Sequence, residues 1–268
     1  MMLDCTREAY DTIEALNISR LKRARVSPRH YQCCAHRETP SLALGTLAHM
    51  MTLEPHRVDA HVAVWDGKVR RGKDWDTFEA ENGGRIVAKP DEIIAAQAIA
   101  DAVHSHPVAA DYLRAGAPEV TLRWDIAGRA CKGRADWIDQ GRDLVVGLKT
   151  GVDIAPRAFG AAVMRYGYHL QWAWYADGYE TITGRKPTMV EIVVESREPH
   201  DVIVYRVPAA VLARGRSEYQ RLLQIVTECE RTGVWPGQAA CEVEVELPAW
   251  VAMADEPAIT IDGQEVAW

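Results

Sequence analysis

The sequence predicts an α/β (α+β) fold, a mixed central β-sheet flanked by helices with an α-helical N-terminal elaboration. Two observations carry this. Near residue 118 the hydrophobic spacing changes from helical to alternating, giving three successive strands: EVTLRWDI (119–126), a stretch from about Arg129 to Ile138, and DLVVGLK (143–149). A helical stretch at about 157–183 then separates these from two further strands, PTMVEIVVES (187–196) and HDVIVYRV (200–207). The order α…βββαββα describes one sheet with helices against it.

The elements follow in chain order. Residues 6–26 read as helical, with Ser19 placed as an N-cap before a basic turn and Pro28 ending the segment. SLALGTLAHMMTL (41–53) reads as a second helix whose small residues Ala43, Gly45 and Ala48 permit close packing. Residues 60–90 carry turns and short extended pieces. An alanine-rich third helix at about 91–115 ends at Gly116. Glycine-containing turns join the strands, a last helix covers about 209–232, and the chain from Pro236 reads as irregular. A single domain is expected, mostly helical over 1–115, with its core at 116–235 and an irregular tail at 236–268.

With 268 residues and 48% hydrophobic composition the chain can bury a substantial core. No apolar run approaches a bilayer span, and MMLDCTREAYDT lacks a signal-peptide pattern, so a soluble, cytoplasmic protein without membrane contact is expected. Six cysteines (Cys5, Cys33, Cys34, Cys131, Cys229, Cys241) show no CxxC and read as reduced structural thiols. Their spacing suits neither an iron–sulfur cluster nor tetrahedral zinc. Net charge is −7, which excludes a chain coated with nucleic acid but not a local basic channel. Cations do cluster, at Arg20–Arg29 and at Lys68–Lys73.

Five polar positions stand out against this plan: Glu119, Asp136, Lys149, Gln171 and Tyr175. An acid on one strand, an acid on the next and a lysine on the third can converge at one sheet edge. Carboxylates gathered there bind hard divalent cations through oxygen. A lysine beside them can orient a water nucleophile or stabilise charge developing on phosphate. Acids and lysines at strand ends are more often ordinary surface residues, and Gln171 with Tyr175 alone would be a half-buried helix face.

Whole stretches add specificity: ALGTLAHMMTLEP (43–55), KVRRGKDWDTF (68–78), HPVAADYL (106–113), PEVTLRWDIAGRACKGRADWID (118–139), LVVGLKTGVD (144–153) and FGAAVMRYGYHLQWAWYADGY (159–179). In order and spacing these resemble the exodeoxyribonuclease VIII (RecE-type) family of PD-(D/E)xK nucleases, related to lambda exonuclease. The resemblance implies that His49, Glu119 and Asp136 bind or position a divalent metal, Mg²⁺ or Mn²⁺, with the Leu148 carbonyl as a backbone ligand. Lys149 would be the signature lysine, while Gln171 and Tyr175 match a QxxxY motif that helps hold the DNA end. DNA contacts are implied for Ser19, Arg25, Arg70, Arg71, Lys73 and Arg134, Ser19 lying where a 5′-phosphate is held. It further implies 5′-to-3′ digestion of double-stranded DNA ends in recombination, a homo-oligomeric ring (trimer or tetramer), a single-strand annealing protein as partner, and a bacterial or phage-encoded origin.

One position departs from the pattern. Where the family has an acid two residues before the lysine, this chain has Gly147. Asp143 shares its face by parity but lies about 13 Å along the strand; Asp153 lies beyond the turn, and Glu195 is on another strand. The sequence therefore predicts impaired or absent cleavage with fold and DNA contacts kept. The alternative is a non-catalytic DNA-end-binding or scaffold protein derived from such a nuclease, and a site-specific endonuclease is a third reading.

Overall fold

The computed structural model describes residues 1–34, 40–246, 259–261 and 264–266. Its centre is a seven-stranded sheet built from β1 (Met2–Leu3), β2 (Leu16–Asn17), β5 (Ala117–Ile126), β6 (Arg129–Asp139), β7 (Leu144–Gly151), β8 (Thr188–Glu195) and β9 (Val202–Arg206), ordered β1-β5-β6-β7-β8-β9. The β7–β8 and β2–β6 pairs are parallel and the others antiparallel. The mixed sheet flanked by helices is as the sequence predicts.

The helices are α1 (Arg7–Thr12), α2 (Ile18–Leu21), α3 (Pro28–Cys33), α4 (Pro40–Leu53), α5 (Val58–His61), α6 (Lys73–Glu81), α7 (Pro90–Ser105), α8 (Pro107–Tyr112), α9 (Pro156–Tyr166), α10 (Tyr168–Thr183) and α11 (Ala209–Thr232). Two short pairs lie apart from the main sheet: parallel β3 (Val62–Val64) with β4 (Ile86–Ala88), and the hairpin β10 (Ile259–Ile261) with β11 (Gln264–Val266).

Each face of the sheet carries its own core. On one, α10 and α11 bring Leu170, Trp174, Tyr179 and Leu222 against Leu122, Ile138, Val145, Met189 and Val193. On the other, α4 and α7 bring Leu47 and Ile99 against Leu144, Val146, Leu148, Val190, Ile192 and Val194. β7 and β8 thus alternate between two dry layers, which is why they read as near-continuous apolar runs. No described helix is long and apolar enough to cross a membrane. All six cysteines are free thiols.

Several expectations need correction. The segment read as one helix at 6–26 is α1, the strand β2, α2 and a 3-10 turn at Lys22–Arg25. Asn17, not Ser19, caps α2 by accepting the Arg20 N–H at 2.8 Å, and Pro28 begins a helix rather than ending one, its fixed φ suiting the first turn. Residues 60–90 contain α6 besides their extended pieces. The helix expected at 91–115 breaks at His106, the residue before Pro107, since proline disfavours α geometry in the residue before it. The helix expected at 157–183 breaks at Gly167, which takes left-handed φ 65. The tail read as irregular from Pro236 contains the β10–β11 hairpin.

One detail of topology positions the site. Along one edge of β6, β2 pairs at Cys131 and Lys132, and β7 pairs only from Trp137 to Asp139. Between them β6 residues 133–136 have no neighbour on that side. β6 and β7 splay apart at Asp136 and Gly147, opening a notch in the middle of the sheet.

Candidate active site

The notch gathers the polar residues. Asp136 fills it by accepting the Leu148 N–H with Oδ2 at 2.8 Å, replacing the ladder bond that β6 does not supply. The Leu148 carbonyl accepts from His49 Nε2 at 2.6 Å and from Lys149 Nζ at 3.1 Å. His49 is delivered by α4, which packs closely on β7: a Cβ on Gly45 would lie 3.5 Å from Thr150 Oγ1. Glu119 comes from β5, between Pro118 and Val120, whose partners Trp137 and Ala135 flank Asp136 on β6. Its backbone takes φ 52, a left-handed conformation in which a non-glycine residue is strained. One ligand atom each from His49, Glu119 and Asp136 lie within 4.8 Å of one another.

Charge is balanced tightly here. Lys149 Nζ lies 3.4 Å from Asp136 Oδ2 and 3.1 Å from Glu191 Oε1. Burial alone would lower the Lys149 pKa, but the two carboxylates outweigh it and hold the group charged far above neutral pH. Lys149 is therefore a cation to place beside a phosphate, not a proton acceptor in this state. Burial raises the Asp136 carboxyl, while Lys149 and His49 outweigh that and keep it below its ordinary value. Burial and then Asp136 push Glu119 up to about 7, against the pull of Arg134. Burial lowers His49, which stays neutral at pH 7. Neutral imidazole and ionised carboxylate are the forms that ligate metal.

The QxxxY pair sits beside this centre on α10, Gln171 Nε2 donating to Tyr175 Oη at 3.3 Å. The Tyr175 ring packs on β6 where Gly133 leaves room; a Cβ there would be 2.7 Å from it.

The residues expected to contact DNA divide into two groups. Ser19, Arg71 and Lys73 are exposed. Arg25 is tied to Glu218 at 2.9 Å and to the Met164 and Arg165 carbonyls. Arg70 pairs with Glu92 and the Val87 carbonyl. Arg134 turns inward, its Nε 2.9 Å from Glu119 Oε2, with only 9% of its side chain exposed. In this structure its guanidinium positions an acid of the site.

Sequence reasoning missed Glu191. It lies on β8 as the register partner of Gly147, with 1% of its side chain exposed. The Trp172 indole N–H donates to Oε2. A Cβ at Gly147 would fall 2.5 Å from Glu191 Oε1 and 2.7 Å from its Cδ. The signal was present: Glu191 is the one charge inside the apolar run MVEIVV, 189–194. Tyr168 was also missed, and Lys22 was read only as a member of the basic cluster at Arg20–Arg29. The Tyr168 ring lies 5.7 Å from Lys149 Nζ and 5.9 Å from Lys22 Nζ, and burial, then Lys149, lower the Lys22 pKa to about 8.

An acid on β5, an acid on β6 at the splay and a charged lysine on β7 two residues beyond it form the acid–acid–lysine arrangement of phosphodiesterase chemistry. Residues 18–246 match the family described as "PDDEXK-like domain of unknown function (DUF3799)". The chain belongs to this PD-(D/E)xK-like family. Among solved structures, a presumed exonuclease from Eubacterium rectale superposes with TM-score 0.64 at 14% identity, covering 94% of this chain and 99% of its own. At that identity the likeness shows the fold. A second structure, of the protein SSO0001, has TM-score 0.29 at 11% identity over 76% of this chain and 85% of its own, too low to argue from. No curated protein matches.

The donor set fits a divalent cation: one imidazole nitrogen, two carboxylates and a peptide carbonyl, all near one point. Across the Lys149 ammonium from Asp136 lies a further buried carboxylate, Glu191, its Oε1 3.1 Å from Nζ. Family, fold and site together make this a PD-(D/E)xK-like, nuclease-type domain with a candidate metal centre at His49, Glu119 and Asp136.

Proposed function

We propose that this chain is a metal-dependent 5′-to-3′ exodeoxyribonuclease acting on double-stranded DNA ends in recombination. The observation that carries the reading is the notch that places His49, Glu119, Asp136 and the Leu148 carbonyl around one point with Lys149 alongside. Mg²⁺, or Mn²⁺ in its place, would be held by these four groups and would polarise the scissile phosphate and stabilise the leaving 3′-oxygen. The protein's own contributions are positional. Asp136 is fixed by the Leu148 N–H, Glu119 by Arg134, and the Lys149 ammonium stands ready for charge on the phosphate oxygens. Gln171 and Tyr175 border the centre and would hold the terminal nucleotide.

Arg71 and Lys73 on the exposed segment before and within α6 would track the phosphate backbone, and Ser19 on α2 would approach a 5′-phosphate. An acidic exterior is reconciled with DNA binding if a trimer or tetramer encloses the duplex in a basic lumen. A single-strand annealing protein would then take up the exposed strand.

The second reading, a DNA-end-binding protein that no longer cuts, is favoured by Gly147 alone. It is weakened by the carboxylate that lies over that glycine.

Duplexes labelled at the 5′ or the 3′ end, linear and closed-circular, separate the readings. The proposal predicts mononucleotide release from 5′ ends of linear DNA and intact closed circles. Linearised circles would indicate an endonuclease. End binding without product in Mg²⁺ or Mn²⁺ would favour the scaffold.

A further inference from the structure

We propose that Glu191 is a third strand-borne carboxylate of the metal centre, beside Glu119 and Asp136, supplied from β8 across the sheet to the place that Gly147 leaves open. The inference rests on the nuclease reading of the site for its chemistry, and on the following geometry for its identity.

A carboxylate with 1% of its side chain exposed is costly to bury unless it is paired. Glu191 sits on the α10 face of β8 between Met189 and Val193, both core residues. Its Oε2 accepts the Trp172 indole N–H. Its Oε1 faces the Lys149 ammonium at 3.1 Å and no other donor, leaving its second lone pair open inside the protein. Lys149 joins this oxygen to Asp136, whose Oδ2 is 3.4 Å from the same ammonium.

Gly147 is explained by the same carboxylate. Its φ is not in the left-handed region, so no backbone demand selects glycine there. What selects it is space: a Cβ would meet Glu191 Oε1 at 2.5 Å and Cδ at 2.7 Å. An aspartate at 147 would put its own oxygens two bonds from that Cβ, about as far from it as Glu191's oxygens already lie. The two side chains are alternative occupants of one place, in register across a parallel pair. The glycine is the counterpart of the glutamate, and the acid has changed strands without leaving the site. The expectation that Gly147 alone impairs cleavage gives way to a centre completed by Glu191.

The test compares the unaltered 268-residue chain with Glu191→Gln, Gly147→Asp and the exchange variant Gly147→Asp/Glu191→Ala. Two readouts are taken: Mn²⁺ affinity by electron paramagnetic resonance, and cleavage of linear duplex DNA. Glu191→Gln keeps shape and the acceptor for Trp172 but removes the anionic oxygen. Its Mn²⁺ affinity should fall on the order of 10- to 100-fold, and cleavage by about 100-fold or more, the scale of losing one preorganised charge. Gly147→Asp alone crowds two carboxylates and gains nothing. The exchange variant should recover Mn²⁺ affinity and cleavage to within about 10-fold of wild type, which a merely structural Glu191 would not allow; it also decides the matter if Glu191→Gln fails to fold. Wild-type cleavage with Glu191→Gln unchanged in both readouts overturns the inference and leaves the nuclease reading standing. Failure of the folded exchange variant to recover Mn²⁺ affinity also overturns it. A wild type that cuts no DNA but loses Mn²⁺ affinity in Glu191→Gln overturns the nuclease reading and supports this assignment.

Discussion

Replacing Lys149 with methionine should cost stability in a pH-dependent way, because its ammonium is the cation shared by two carboxylates in the splayed sheet. Lys149 Nζ is 3.1 Å from Glu191 Oε1 and 3.4 Å from Asp136 Oδ2. Methionine keeps the stem and removes the charge. Asp136 retains the Leu148 N–H, but Glu191 keeps only the Trp172 N–H. Removing one partner of a buried pair costs about 3–5 kcal/mol. For a domain of this size each kcal/mol moves Tm by roughly 2–4 °C, so the Tm should fall by roughly 6–20 °C at pH 8.

The sign of the pH effect follows from Glu191. Burial already raises its pKa above the ordinary carboxylate value, and Lys149 pulls it back; without Lys149 it rises further. The folded variant then holds a proton that the unfolded chain has lost, so stability falls as pH rises between the two pKa values. The slope there approaches about 1.4 kcal/mol per pH unit. Thermal melts in EDTA from pH 5.5 to 8.5 should show the gap from wild type narrowing towards acid. Lys149→Met/Glu191→Leu should lose the pH dependence. A Lys149→Met melt within about 2 °C of wild type at every pH would refute the charge-balance account.

Three further outcomes are expected. Gly215 lets α11 approach α10 so closely that a Cβ would lie 2.6 Å from the His169 carbonyl carbon; Gly215→Ala should therefore destabilise by about 1–3 kcal/mol in urea melts, with folding still cooperative. Glu119 holds its proton up to about pH 7 and must lose it to ligate, so Mn²⁺ affinity measured calorimetrically should weaken as pH falls through 7, with proton release on binding. Replacing Arg71 or Lys73 with alanine should weaken DNA binding equally across sequences and flatten its salt dependence by about one unit per lost phosphate contact, read from titrations at several salt concentrations.

Much of the fold was legible because two of its signals are local. The alternation in β5 and β6 and the apolar runs of β7 and β8 reflect burial on one or both faces of a sheet. Two of the helices that misled are broken by one residue's geometry, His106 before Pro107 and Gly167 at φ 65, where the hydrophobic period runs on past the break. At the site, Glu119, Asp136 and Lys149 were legible as polar residues on three consecutive strands, and His49, Gln171 and Tyr175 through the resemblance. Arg134 was not: whether a surface-strand arginine points to DNA or folds back on Glu119 is decided by the backbone twist at Glu119. Glu191 was hidden by distance along the chain. Its relation to Gly147 exists only through the parallel β7–β8 register, which no local pattern encodes. A glutamate inside an apolar strand and a glycine inside another are each odd alone; together they describe one carboxylate.

Metal-dependent hydrolysis by the unaltered chain is the central claim. Nucleotide released from linear 5′-phosphorylated duplex DNA should be measured across a Mg²⁺ titration, beside Asp136→Ala and an EDTA control. The predicted result is Mg²⁺-dependent release by the chain with Gly147 in place, absent in Asp136→Ala and in EDTA. No release by the folded wild type at any Mg²⁺ or Mn²⁺ concentration, or equal release by Asp136→Ala, would contradict it.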